Sequence, residues 1–294
     1  MTISYNRLGS NGRLGNQMFQ YAGLRGIAAH RGFDWVVPEP ITYGDSNYGL
    51  FDCFKMSSVK EENFGLLRVE SLQTGCFHFN QDAYDKWPDN TNLHDYFQTE
   101  KYFKNVEDII RKDFTFQNDI MAPCLEVMNE YEDPIFIHVR RGDYVNQPEN
   151  HPALPVSYYK NALEKHFKDD QPVFVFSDDL DWCRENFKDD RFLISTENPL
   201  YEQTADTNDG RVKSFIPYYD LCMMSLCTGG IIANSSMSWW GAWLQNDTDK
   251  IIAPKPWYGA KAFNYGNAEL NDNDLIPDRW TRIYNDPTPI DIEE

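Results

Sequence analysis

The chain has 294 residues, 41% of them hydrophobic and 25% charged, and a formal net charge of −19. That length suits two domains better than one, and the composition is that of a folded globular protein, neither disordered nor fibrous. The negative balance excludes the diffuse basic surface by which nucleic acids and anionic membranes are bound, so an anionic ligand has to be caught by a local cluster.

The N-terminus, "MTISYNRLGSNGRLGNQ", lacks the apolar core of a signal peptide. No stretch approaches the roughly 18 to 20 apolar residues of a membrane helix. Six cysteines, Cys53, Cys76, Cys124, Cys183, Cys222 and Cys227, form no CxxC pair and several lie in apolar runs such as "LCMMSLC", which reads as reduced structural thiols. The expectation is a soluble, cytoplasmic protein with no integral membrane segment and no nucleic-acid partner.

Along the chain, "GNQMFQYAGLRGIAAHRG" predicts a helix, with Leu14, Met18, Tyr21, Ala22 and Ala28 near helical spacing, and "FDWVVP" predicts a strand. Gly12 and Gly15 allow a tight turn, and a helix beginning near Asn16 would present N–H groups to a phosphate or sugar; the same residues also suit an ordinary loop-to-helix turn. No GK[ST] follows, so this is not a Walker loop. The remainder up to residue 133 is rich in Asn, Asp, Gly and aromatics, with one clear helix in "YFQTEKYFKNVEDIIRKDF". The reading is a smaller α/β domain over 1–133, with its boundary in "MNEYEDP".

From residue 134 short apolar runs alternate with helical ones: "IFIHV", "VSYYKNALEKHF", "VFVFS", "DLDWCRENF", "FLIS", "YYDLCMMSLC", "GIIAN", "MSWWGAWLQ" and "KIIAP". This predicts, over 134–294, a parallel sheet with helices on both faces. Ligands of such sheets bind beyond the carboxyl ends of the strands. The polar residues there are His138 with Arg140, Arg141 and Asp143; Ser177 and Asp178; Ser195 and Thr196; Asp220; and Asn234, Ser235 and Ser236.

Arg140 and Arg141 stand out against the acidic background, because guanidinium forks bind phosphate oxygens bidentately. The bland alternative is an ion pair, Arg141 with Asp143 or another carboxylate. Asp179-Leu180-Asp181 has the form of a metal-binding Asp-x-Asp, yet it equally suits a helix N-cap with first-turn acids. Asp220, read as opening a buried apolar helix, could accept from the N–H edge of guanine or cap that helix. Ser235 and Ser236 fit a phosphate-binding helix N-terminus or plain capping. Trp239, Trp240 and Trp243 fit the core better than a sugar platform.

Together, "GRLGNQMFQYA", "FIHVRRGDYV", "VFSDD" and "DLCMMSLCTGGIIANSSMSWWGAWL" resemble, in order and spacing, the α-1,2-fucosyltransferases of glycosyltransferase family 11. The resemblance implies transfer of L-fucose from GDP-β-L-fucose to the 2-hydroxyl of a terminal β-galactoside, inverting and with no metal or other cofactor. It implies a GT-B-like pair of Rossmann-type domains facing a cleft, the first on the acceptor side and the second binding GDP. It places Arg140 on the β-phosphate, His138 and Asp220 on guanine, Ser235 and Ser236 on phosphate, Arg141 beside them, and Asn16 near the donor phosphate and fucose. A base is needed for the acceptor hydroxyl: Asp143 is the first candidate, though it could equally orient Arg141, and Glu149 is the second. The rival readings are a metal-dependent sugar transferase using Asp179 and Asp181, and a non-catalytic carbohydrate-binding protein.

Overall fold

The computed structural model describes residues 1–40, 48–74, 78–194, 212–246, 249–259 and 271–285, with the backbone alone for 212–216. The chain separates into two compact units, one holding Met1–Met121 together with 271–277, the other holding residues 122–259 and 278–285. The division falls inside a helix, ahead of "MNEYEDP", and the return of 271–277 to the first unit is a crossing that no split into two consecutive segments captures.

In the first unit, β1 (Thr2–Ser4), β2 (Asp34–Val36), β3 (Ser71–Leu72) and β4 (Thr91–Leu93) form a parallel sheet in the order β2-β1-β4-β3. Helix α1 (Leu14–Arg31) connects β1 to β2 and is buried along most of its length. It ends at Gly32, whose left-handed φ of 65° lets its N–H return to the helix, beside the basic His30 and Arg31 that suit a helix C-terminus. The short helices of this unit are α2 (Leu50–Cys53) and α3 (Gln81–Lys86), which pack on α1, and α4 (Glu107–Asp113). Inside the unit, Arg25 on α1 pairs with Asp113 at 2.6 Å and lies 4.2 Å from the Trp35 ring. Asp113 also accepts from the Tyr21 hydroxyl and the Ser58 backbone N–H, both at 2.8 Å. Each buried charge therefore has partners, without which it would cost several kcal/mol.

Helix α5 (Asn118–Met128), within which the division falls, leads into the second unit: β5 (Ile135–Val139), followed by α6 (Val156–His166), β6 (Val173–Ser177), α7 (Leu180–Asn186), β7 (Phe192–Ile194), α8 (Val212–Leu226), β8 (Gly230–Ile231), α9 (Ser236–Trp243), β9 (Ile251–Lys255) and β10 (Thr281–Tyr284). The six strands are parallel, in the order β10-β9-β8-β5-β6-β7. Counted in chain order this is the doubly wound 3-2-1-4-5-6 arrangement, with its switch point between β5 and β8. The chain winds one way from β5 and the other way from β8, so right-handed crossovers set α6 and α7 on one face and α9 on the other.

One core joins Ile135, Ile137 and Val139 of β5 to Tyr158, Tyr159, Ala162 and Leu163 of α6 and to Cys183 and Phe187 of α7. Alternation along the strand then turns Phe136 and His138 to the opposite face. Trp239, Trp240 and Trp243 are fully buried. As the sequence suggested, they build the core of α9, and they leave no exposed aromatic platform there for a sugar.

Candidate functional site

The register of the sheet assembles the site. Ile137 lies opposite Ile231 of β8, and Val139 opposite Ser177 of β6. Carried one residue beyond β5 and β6, this sets Arg140 level with Asp178, and carried three residues beyond β8 it sets Arg140 level with Asn234. Three strand ends thus bring their polar residues to the switch point, where the peptide dipoles of the following helices also point.

Arg140 is held by two carboxylates. Its Nη1 lies 2.9 Å from Asp178 Oδ2, and its Nη2 donates to Asp143 Oδ1. The Arg140 side chain is 19% exposed, whereas Asp143 is 53% exposed, so of its two partners Asp143 is the one open to exchange. Arg141 donates its backbone N–H to Asp178 Oδ1 at 2.8 Å and its Nε to Asp179 Oδ2 at 2.9 Å, and its guanidinium lies 4.5 Å from the Trp182 ring. Of the two ion-pair alternatives for Arg141, Asp143 or another carboxylate, the structure shows the second, and Asp143 does not orient Arg141. Asp143 reaches Arg140 from the short 3₁₀ turn Asp143–Asn146, while the α7 start presents Asp179 to Arg141.

Asp179 caps α7, accepting from Trp182 N–H at 3.2 Å, and Asp181 pairs with Arg184 at 2.9 Å. Both acids of the Asp-x-Asp are thus explained by capping and arginine pairing. Gly142 leaves room for this arrangement: a Cβ there would fall 2.5 Å from Asp178 Oδ2.

His138 is buried, and its Nδ1 has no hydrogen-bond partner. Burial, opposed by Asp178 and helped by Arg140, pushes its pKa down to about 4, so the imidazole is neutral near pH 7. A neutral ring can donate from one nitrogen and accept at the other. Ser235 caps α9, accepting from Met237 N–H at 3.3 Å, and Ser236 is the first residue of that helix. Asn234, just before them, is buried and structural: its side-chain amide Nδ2 donates to Pro152 O at 3.0 Å and Trp257 O at 3.1 Å, and its backbone carbonyl accepts from the Tyr144 hydroxyl at 3.1 Å.

Asp220 was expected to open its helix. Because α8 already begins at Val212, Asp220 lies more than two turns inside it, so capping is excluded; burial pushes its carboxyl up to about 8. Likewise α1 begins at Leu14, ahead of Asn16. Gly15 is helical, and of the two glycines only Gly12 adopts a left-handed φ, 85°. Asn16 sits in the first turn of α1 and accepts from Gln98 Nε2 at 3.1 Å, within the first unit. Glu149 is exposed, in a loop whose backbone packs so closely on Gly259 that a Cβ there would meet Glu149 O at 2.4 Å. Ser195 and Thr196 lie outside the described residues. His151, which sequence reasoning passed over, stacks on Tyr144 beside Arg140; a lone histidine in a polar loop offered no periodicity by which to find it.

The family described as Glycosyl transferase family 11 matches residues 54–273. The chain is 29% identical to an alpha-1,2-colitosyltransferase of Escherichia coli, covering 96% of this chain and 99% of that one. It is 30% identical to an O-antigen biosynthesis glycosyltransferase of Escherichia coli over 65% of this chain and 60% of that one. It is 22% identical to human galactoside alpha-(1,2)-fucosyltransferase 1 over 83% and 66% of the two chains. Among solved structures, the fucosyltransferase NodZ from Bradyrhizobium matches with a TM-score of 0.53 at 15% identity, covering 83% of this chain and 93% of that one. NodZ alpha-1,6-fucosyltransferase co-crystallized with GDP matches at 0.54 and 14% identity, covering 83% and 92%. At such identities the likeness carries the fold, which is GT-B-like.

Proposed function

Since the chain belongs to glycosyl transferase family 11 and is therefore a glycosyltransferase, we propose that it transfers L-fucose from GDP-β-L-fucose to the 2-hydroxyl of a terminal β-galactoside, with inversion at the anomeric carbon and without a metal ion. The observation that carries this reading is Arg140 at the switch point, its fork shared between the less exposed Asp178 and the more exposed Asp143.

A diphosphate entering there takes the place of Asp143 on the guanidinium, while Asp178 keeps the fork oriented. As the bond from fucose to the diphosphate oxygen breaks, negative charge grows on the leaving group, so the contact with Arg140 strengthens toward the transition state. Arg141, tied to Asp179, holds the loop that carries Arg140. Ser235, Ser236 and the α9 N-terminus supply further donors to phosphate. His138 offers guanine a neutral hydrogen bond, and Asp220 a carboxylate for its N–H edge. Asn16, in the first unit, is assigned to the donor by the family resemblance alone. Asp143, released from Arg140 by the incoming diphosphate, becomes free to take the acceptor proton, with Glu149 as the second candidate base.

The full-length relative named an alpha-1,2-colitosyltransferase favours one other donor. Colitose is fucose without the 3-hydroxyl, so a nucleotide-activated colitose would present the same diphosphate to Arg140. Metal-dependent transfer through Asp179 and Asp181 is less well supported, because both carboxylates are engaged by arginines. No helix among the described residues is long and apolar enough to cross a membrane. The buried thiols of Cys124, Cys183 and Cys227, which form no disulfide, favour a reducing, cytoplasmic setting.

The test is transfer from GDP-fucose, and in parallel from GDP-colitose, to an array of galactosides in excess EDTA, with linkage and anomeric analysis of the product. An α-1,2-fucosylated galactoside is expected. Preference for the colitose donor replaces the fucose reading, loss of transfer in EDTA removes metal independence, and transfer from neither donor rejects the assignment.

A further inference from the structure

His151 belongs to no motif used above, yet it lies against the site. Its ring stacks on Tyr144 with centroids 5.0 Å apart and planes 18° from parallel. The Arg140 guanidinium lies 5.3 Å from the centroid of that same Tyr144 ring, and the Tyr144 hydroxyl is anchored on Asn234 O. Tyr258 meets the His151 ring at 6.1 Å, and Pro152, the next residue, is held through its carbonyl by the Asn234 amide.

His151 Nδ1 is buried with no hydrogen-bond partner. Burial also lowers the pKa of the ring, against the pull of Asp143 and with the push of Arg140. The contact is thus made by the face of a neutral aromatic ring. A fork that must meet a diphosphate in one plane needs its neighbours fixed, and beyond Asp178 and Asp143 the group set against Arg140 is the Tyr144 ring.

We propose that His151 is a positioning residue for Arg140: by stacking on Tyr144 it fixes the ring on which the guanidinium rests, and so presets the fork for the donor diphosphate. This rests on the reading of Arg140 as the diphosphate ligand.

The full chain is compared with His151→Phe, which keeps a stacking ring, and His151→Leu, which keeps bulk without one. GDP binding is measured by titration calorimetry and stability by thermal melting. The phenylalanine variant is expected within about twofold of wild type, and the leucine variant to bind GDP about five- to tenfold more weakly, the range of a lost ring contact. In an Arg140→Lys background, where no fork remains to be set, the leucine substitution is expected to cost less than about twofold; a merely structural role would cost the same in both backgrounds. Should His151→Leu not fold, His151→Asn takes its place with the same expected loss. Wild-type affinity in His151→Leu, a phenylalanine variant as impaired as the leucine one, or an undiminished loss in the lysine background each overturns the inference alone. Wild-type chain that does not bind GDP overturns the donor-site reading together with it.

Discussion

Asp178 sits astride the arginine doublet, its Oδ2 2.9 Å from Arg140 Nη1 and its Oδ1 accepting the Arg141 backbone N–H at 2.8 Å. One carboxylate at the end of β6 thereby fixes both the side chain of the first arginine and the main chain of the second. Removing the fork removes one of the two guanidinium charges at the switch point. Arg140→Ala is expected to lower turnover by on the order of 10²-fold or more, on the scale of a lost oxyanion donor. Arg140→Lys, which keeps charge but not the bidentate geometry, should fall between the two. Steady-state kinetics with the active donor check both; an alanine variant retaining more than about a tenth of wild-type turnover contradicts the role.

On the proposed donor site the diphosphate would compete with Asp143 for the same guanidinium, so the donor is expected to bind before the acceptor, as read from product-inhibition patterns. If Asp143 then serves as base, Asp143→Ala loses transfer but still binds GDP, and azide or formate restores part of the rate. The same measurement on Glu149→Ala separates the two candidates: a variant with unaltered turnover is excluded as the base.

Gly142→Ala would place a methyl group 2.5 Å from the position of Asp178 Oδ2, a contact that the side chain can escape only by leaving Arg140. Activity is expected to drop by about tenfold, the equivalent of roughly 1.4 kcal/mol at the transition state, while the melting temperature changes little because the displaced carboxylate is at the surface. Unchanged kcat/KM would show that Asp178 does not orient the fork.

His138 links stability to pH. Its pKa falls from an ordinary 6.5 to about 4 in the folded chain, so between those values the unfolded chain binds more protons and stability is lost as pH drops. The full effect at acid pH is of order 3 kcal/mol. Denaturant unfolding across pH 7 to about 4 should therefore show wild type losing stability relative to His138→Phe as pH falls; parallel curves would mean that the ring is protonated in the native state as readily as in the unfolded chain.

Much of the second unit was legible in the sequence because its strands are continuous apolar runs: "IFIHV" became β5 and "VFVFS" became β6 without change, and the strand ends named the arginines, serines and Asp178 together. The edge strand β10 was missed, since "TRIY" is short, partly exposed and bears no continuous apolar signal. In the first unit, β1, β3 and β4 are two or three residues long and built from Thr, Ser, Asn, Ile and Leu; sheet pairing overrides their weak pattern. "GIIAN" shortened to Gly230–Ile231, which still delivered Ser235 and Ser236 to the site. Which carboxylate meets which arginine was not legible, because Asp143 and Asp179 are similarly plausible in sequence and only the register of β5 against β6 decides between them.

Asp220, inside α8 with its carboxyl pushed up to about 8, carries a thermodynamic signature. In the proposed role it must be ionised to accept two N–H groups from guanine, so complex formation near neutral pH would shed a proton to the medium. The heat of GDP binding would then vary with the ionisation enthalpy of the buffer, and Asp220→Asn would erase that variation. The nucleotide grip would tighten as the solution becomes more alkaline toward pH 8, making base recognition an acid–base equilibrium as well as a matter of shape.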